Sequence, residues 1–202
     1  MVKAIMFDIG GVLVERPSRK RLDLFSKEFK LNEEQKEEAA KAYKALEKKW
    51  MKGLITEKEL ISGILKRIGV KAKAKIVWKK YFKKAYKEKK EVIAIAKALK
   101  KAGYKLAVLS NASKPDVEYL KERGFMKLFD YAFFSCDLKC AKPEKRIYLK
   151  VLKDIKVKAK DVIFIDDLKE NVAAARRVGI KAIVYEDPDK LKRELRIAGI
   201  YF

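Results

Sequence analysis

The chain contains no histidine. That removes the usual imidazole acid–base group and any zinc hydrolysis route that relies on histidine ligands. Asparagine occurs only at positions 32, 111 and 171, and glutamine only at 35. Cysteine occurs twice, as Cys136 and Cys140. With no histidine and no second cysteine pair, a cysteine-based metal site is not expected. Two reduced thiols near a strand end are the expectation for a cytosolic chain, although hyperthermophile cytosols also tolerate disulfides. No stretch approaches the roughly 18 uncharged apolar residues of a transmembrane helix. The opening Met1-Val2-Lys3-Ala4-Ile5-Met6-Phe7-Asp8 makes a poor signal peptide, so a cytoplasmic protein is expected, with no membrane partner. Internal repeats and low-complexity linkers are also missing.

Positive charge is plentiful: 51 Lys and Arg face 28 Asp and Glu, a formal +23. Such an excess raises the question of nucleic-acid binding. The lysines, however, are spread over nearly every predicted helix and form no block. Abundant Lys and Glu with scarce amides point to a thermophile's solvated surface, so nucleic acid is not the expected partner. The net field would still draw in phosphorylated substrates.

Residues 2–7 are short and mostly apolar, and Asp8, Gly10 and Gly11 follow, which reads as a buried strand running into a glycine turn. Similar runs lie at 105–109, 131–134, 162–165 and 181–185. Nearly uninterrupted apolar strands are what a parallel sheet covered on both faces requires. Helical segments are expected at about 88–102, 114–123, 143–155 and 168–178. The alternation predicts an α/β fold with a doubly wound, mostly parallel, Rossmann-like sheet. Residues 16–87 break it with helix after helix, including a capping box at Thr56-Glu59 and a stripe of Leu60, Ile61, Ile64, Leu65 and Ile68. The expected organisation is a core of residues 1–15 and 88–202 with a helical insertion at 16–87.

In open α/β sheets, ligands bind beyond the carboxyl ends of the strands. Asp8 ends the first strand, Ser110-Asn111 the second and Asp166-Asp167 the fourth. Lys142-Pro143 opens the helix after the third. Crowded carboxylates repel unless a hard cation lies between them, and oxygen-only ligands favour Mg2+. Lys142 and the metal would neutralise a phosphate's oxygens, Ser110 and nearby amides would donate to it, and one carboxylate could attack. Taken singly, these residues fit equally well as helix caps, helix starts and dipole partners.

The arrangement resembles the haloacid dehalogenase superfamily. Phe7-Asp8-Ile9-Gly10-Gly11-Val12-Leu13-Val14 is similar to the first family motif, and Val108-Leu109-Ser110-Asn111 to the second. Lys142-Pro143-Glu144-Lys145-Arg146-Ile147-Tyr148 is similar to the third, and Phe164-Ile165-Asp166-Asp167-Leu168-Lys169-Glu170-Asn171 to the fourth. Among its branches the chain looks most like sugar-phosphate phosphatases and the phosphatase domain of soluble epoxide hydrolases. The resemblance implies a small α-helical cap at 16–87. It implies catalytic roles for Asp8 and Lys142, with Asp8 as nucleophile. Asp8, the Gly10 carbonyl and Asp167 would hold Mg2+, with Asp166 orienting a metal-bound water or ligating beside them. Ser110, Asn111 (through its backbone amide) and Lys142 would bind the phosphate of a small phosphorylated metabolite. Asn171 would buttress the acidic loop.

One position departs from the phosphatase pattern. Where the family places a second aspartate that protonates the leaving alcohol, this chain has Gly10. Glu15, near the cap hinge, is a candidate replacement. The alternatives are a 2-haloacid dehalogenase, which the adjacent Asp166 and Asp167 argue against, and a catalytically weak phosphometabolite-binding or interaction protein. Trp50, Trp78, Tyr81 and Tyr86 are candidates for the cap entrance, although aromatics at helical spacing are more often core. An apolar cap face leaves room for a homodimer.

Overall fold

The structure, a computed structural model, describes residues 2–16, 18–73 and 78–202, without the side chains of Ser18 and Arg19. Five strands form one sheet in the order β3-β2-β1-β4-β5: β1 Ala4–Phe7, β2 Lys105–Ser110, β3 Tyr131–Phe134, β4 Val162–Asp166 and β5 Lys181–Val184. Every pairing is parallel, with Phe7 in register with Val108 on one side and Ile165 on the other. The central strand is buried along its whole length.

Side chains alternate across the sheet, as the two-residue period of a strand dictates. Ile5, Phe7, Leu106, Val108, Ile163 and Ile165 face one layer of helices. That layer contains α5 (Lys90–Lys101), α6 (Lys114–Glu122) and α10 (Pro188–Ile197). Ala4, Met6, Ala107, Leu109, Val162 and Phe164 face the other, formed by α8 (Lys145–Ile155) and α9 (Lys169–Arg177). A short α7, Ser135–Leu138, follows β3 directly. The expected α/β fold with a parallel, doubly wound sheet is therefore observed. Helix α10 lies beyond the sequence expectation. Asp187 caps it by accepting from the Lys190 amide at 2.8 Å, Pro188 stands in its first turn, and Leu191 and Leu195 are buried.

Between β1 and α5 lie α1 (Ser18–Glu28), α2 (Glu33–Met51), α3 (Glu57–Arg67) and α4 (Trp78–Ala85). They share a separate apolar cluster of Phe25, Tyr43, Trp50, Leu60, Ile61, Ile64, Leu65, Trp78 and Tyr81. The anticipated capping box at Thr56 is present, and α2 starts with one as well. Asn32 and Gln35 exchange side-chain-to-backbone hydrogen bonds, as do Thr56 and Glu59. The insert joins the sheet through two paired connections: the Glu15 amide donates to the Lys87 carbonyl at 2.8 Å, and the Lys89 amide to the Leu13 carbonyl at 2.9 Å.

Three further contacts hold the insert over the strand ends. The Ser135 hydroxyl donates to the Met51 carbonyl, Lys139 Nζ donates to the Gly53 carbonyl, and Lys52 pairs with Glu144. On the other side Arg21 of α1 reaches Asp116 of α6 through one guanidinium nitrogen, at 2.9 and 3.1 Å from the two carboxylate oxygens. Both side chains are only 4% exposed.

Candidate active site

Asp8 follows the last residue of β1, and its amide donates to the Ile165 carbonyl of β4 at 2.8 Å. The chain then turns tightly: the Leu13 and Val14 amides both donate to the Ile9 carbonyl at 2.9 Å. Gly11 sits in this turn at φ +90°, and a Cβ there would lie 2.1 Å from Asp167 Oδ2. Glycine is thus required for the first-strand turn to approach the fourth-strand acids. Gly10 differs, because a Cβ added to it would meet nothing within 4 Å.

Lys142 is buried with its ammonium between two carboxylates, 2.8 Å from Asp8 Oδ1 and 2.6 Å from Asp166 Oδ2. Burial alone would push that ammonium down, but Asp8 and Asp166 overcome it and raise its pKa. Burial lifts the Asp8 carboxyl to about 6 against the pull of Lys142, with Asp166 adding to the rise. Asn111 fixes the lysine's backbone from both sides. Its Oδ1 accepts from the Lys142 amide and its Nδ2 donates to the Lys142 carbonyl, each at 2.9 Å. The Asn111 side chain is therefore spent on Lys142. Ser110, at the end of β2, is buried and lines the same cavity.

Asp166 is fully enclosed. Besides Lys142 it accepts from the Leu168 amide at 2.8 Å and from Asn171 Nδ2 at 3.0 and 3.1 Å. Asn171 thus buttresses the acidic loop. Asp167 pairs through Oδ2 with Arg16, while its Oδ1 is buried and accepts no hydrogen bond among the described residues. An unpartnered buried carboxylate oxygen is costly unless something else occupies it. Ligand atoms of Asp8, Asp166 and Asp167 all lie within 4.8 Å of one another. Three hard oxygen donors with one oxygen unsatisfied suit a small divalent cation such as magnesium.

These groups line a cavity of about 580 Å3 between the strand ends and the insert. Its sheet side carries Asp8, Gly10, Ser110, Asn111 and Lys142; its other side includes Arg21, Lys44, Glu47, Lys48 and Met51. The insert's contribution went unread in the sequence. The only available signal is the spacing of 44, 47, 48 and 51, which on a helix is one face.

Two sets of candidates do not line the cavity. Glu15 does not line the cavity; it is half exposed and pairs with Lys87. That hydrogen bond, outweighing slight burial, holds its carboxyl below the usual range, the wrong direction for a proton donor. Trp50, Trp78 and Tyr81 are buried in the insert's apolar cluster, and Tyr86 packs against Phe82, Tyr119 and Phe125. They are packing residues, not entrance residues. Cys136 and Cys140 are free, buried thiols, and burial pushes Cys136 up to about 11. Among the described residues no helix is long and apolar enough to cross a membrane.

A model of the haloacid dehalogenase-like hydrolase family matches residues 2–179. The rat bifunctional epoxide hydrolase 2 is 32% identical over 117 residues, 55% of this chain and 21% of that protein. A sesquiterpene phosphatase of Aspergillus oryzae is 35% identical over 104 residues, 51% of this chain and 53% of that one. The matches span about a fifth and about half of those relatives' own lengths. A haloacid dehalogenase family enzyme from Bacteroides thetaiotaomicron, solved with magnesium and inorganic phosphate, superposes with a TM-score of 0.76. That alignment covers 95% of this chain and 99% of the other at 24% identity.

Proposed function

The chain belongs to the haloacid dehalogenase-like hydrolase family, and we propose that it is a magnesium-dependent phosphomonoester hydrolase acting on a small phosphorylated metabolite. The observation that carries this reading is the buried Lys142 ammonium bridging Asp8 and Asp166 beside an unpartnered Asp167 oxygen. In this reading residues 1–15 and 88–202 form the catalytic core and 16–87 the cap.

Asp8 is the nucleophile. Its free oxygen attacks phosphorus, the P–O bond to the leaving group breaks, and an aspartyl phosphate forms; water then releases phosphate and restores the carboxylate. Lys142 binds the phosphate oxygens while remaining oriented by Asp166 and Asn111. Ser110 donates its hydroxyl to the phosphate, and the Asn111 backbone amide would donate to it as well. Magnesium, when bound, supplies positive charge against the developing negative charge. Asp8, Asp167 and the Gly10 carbonyl would hold it. Because Asp166 already has Lys142, Leu168 and Asn171 as partners, its part is positioning more than direct ligation.

The test is phosphate release from a generic aryl phosphate. Activity should require magnesium, vanish with EDTA and fall to background in Asp8→Asn. Metal-independent halide release from a 2-haloacid would replace this reading with the dehalogenase one. Gly10, lacking a proton donor, supports a second reading of phosphometabolite binding without efficient turnover. Magnesium binding with no turnover over a broad phosphate panel would select it.

A further inference from the structure

Helix α2 faces the cavity with Lys44, Glu47, Lys48 and Met51, a run of i, i+3, i+4 and i+7 that forms one stripe. The cavity's other cations are already committed. Lys142 is held by Asp8 and Asp166, Arg21 by Asp116, and Arg16 by Asp167. Lys44 and Lys48 stand in no ion pair among the described residues. Elsewhere on the same helix, lysines do take the acids at helical spacing: Lys36 pairs with Glu33 and Lys41 with Glu38. Glu47, which stands at such spacing from Lys44, instead accepts from the Tyr43 hydroxyl at 2.9 Å. Lys44 and Lys48, exposed and one turn apart, present two ammonium groups to the cavity with the single carboxylate of Glu47 between them in the stripe, which leaves a net positive charge there.

We propose that the substrate carries a second anionic group, a carboxylate or a second phosphate, on its leaving portion, and that Lys44 and Lys48 receive it. This inference rests on the phosphatase reading for the position of the first phosphate. The two lysines would then set specificity, while Met51 and Phe82 offer apolar contact to the linker between the two anions.

The experiment is calorimetric binding to the intact 202-residue chain loaded with magnesium. Three non-hydrolysable ligands are compared: propylphosphonate, 3-phosphonopropionate and propane-1,3-bisphosphonate. At least one of the two doubly anionic ligands should bind roughly tenfold or more tightly than propylphosphonate, consistent with charge-assisted contacts in a partly enclosed site. Which one does so identifies the second group as carboxylate or phosphate. In Lys44→Met/Lys48→Met the advantage should shrink to within about threefold, whereas Lys41→Met on the outward face should keep it. Equal binding of all three ligands by the unaltered protein overturns the inference, as does an advantage that survives the double substitution. Aryl phosphate turnover, measured in parallel, separates the two levels. Turnover without discrimination removes this inference alone, and the absence of both turnover and phosphonate binding removes the phosphatase reading with it.

Discussion

Replacing Gly10 with aspartate should speed the hydrolysis of alkyl phosphates. The site has room for the change: a Cβ at Gly10 meets nothing within 4 Å, and its backbone is outside the left-handed region. The residue lines the cavity two positions after the proposed nucleophile. A positioned acid–base group contributes about 10²–10⁴ in rate. With no atom within 4 Å of its Cβ to lock the new side chain, the lower end, about 10², is the expectation. Aryl phosphates, whose leaving groups depart without a proton, should change little. The assay is phosphate release over a series of leaving groups of rising basicity. The dependence of log kcat on basicity should be steep in the natural protein and flatter in Gly10→Asp. A folded, magnesium-binding Gly10→Asp with an unchanged alkyl phosphate rate would refute the reasoning. The proton would then have to come from Glu47 or Glu170, which also line the cavity.

Arg21→Met should cost about 3–5 kcal/mol in urea unfolding, because Asp116 would remain buried without its cation. A smaller loss for Arg21→Met/Asp116→Leu than for Arg21→Met alone is expected, since no uncompensated charge would remain. In EDTA-treated protein, Asp8 should make stability pH-dependent. Its folded pKa is raised from 3.8 to about 6, so its stabilising contribution is complete below pH about 4 and is lost as the pH climbs through about 6. The loss should be absent in Asp8→Asn. Gly11→Ala should weaken magnesium binding measured by calorimetry, because its Cβ would fall 2.1 Å from Asp167 Oδ2.

The sheet was readable because parallel strands buried on both faces leave continuous apolar runs, and all five appear where those runs lie. The strand-end residues were readable for a related reason: in this topology, chain position and site position coincide. Asp8, Ser110 and Asp166 each stand at or just beyond the end of a strand that the apolar pattern marks, and Lys142 lies in the turn three residues before α8. The insert's wall was not readable. Lys44, Glu47 and Lys48 look like any solvated helix face, and only the docking of α2 over the strand ends decides which charges meet the cavity. Arg21 and Asp116 are 95 positions apart, so nothing local announces their pairing. The insert's aromatic residues follow the commoner pattern for aromatics at helical spacing: Trp50, Trp78 and Tyr81 fill its interior.

Both tryptophans of the chain, Trp50 and Trp78, lie in that interior, with ring centroids 5.1 Å apart. Intrinsic tryptophan emission is therefore a private reporter of the insert, while the sheet and its flanking helices are silent in it. Following emission and far-ultraviolet circular dichroism through the same denaturant series would reveal whether the insert melts together with the sheet or ahead of it. Coincident curves would mean that the contacts at Asp116, Ser135 and Glu144 merge the two layers into one cooperative unit. Separated curves would give each layer a stability of its own.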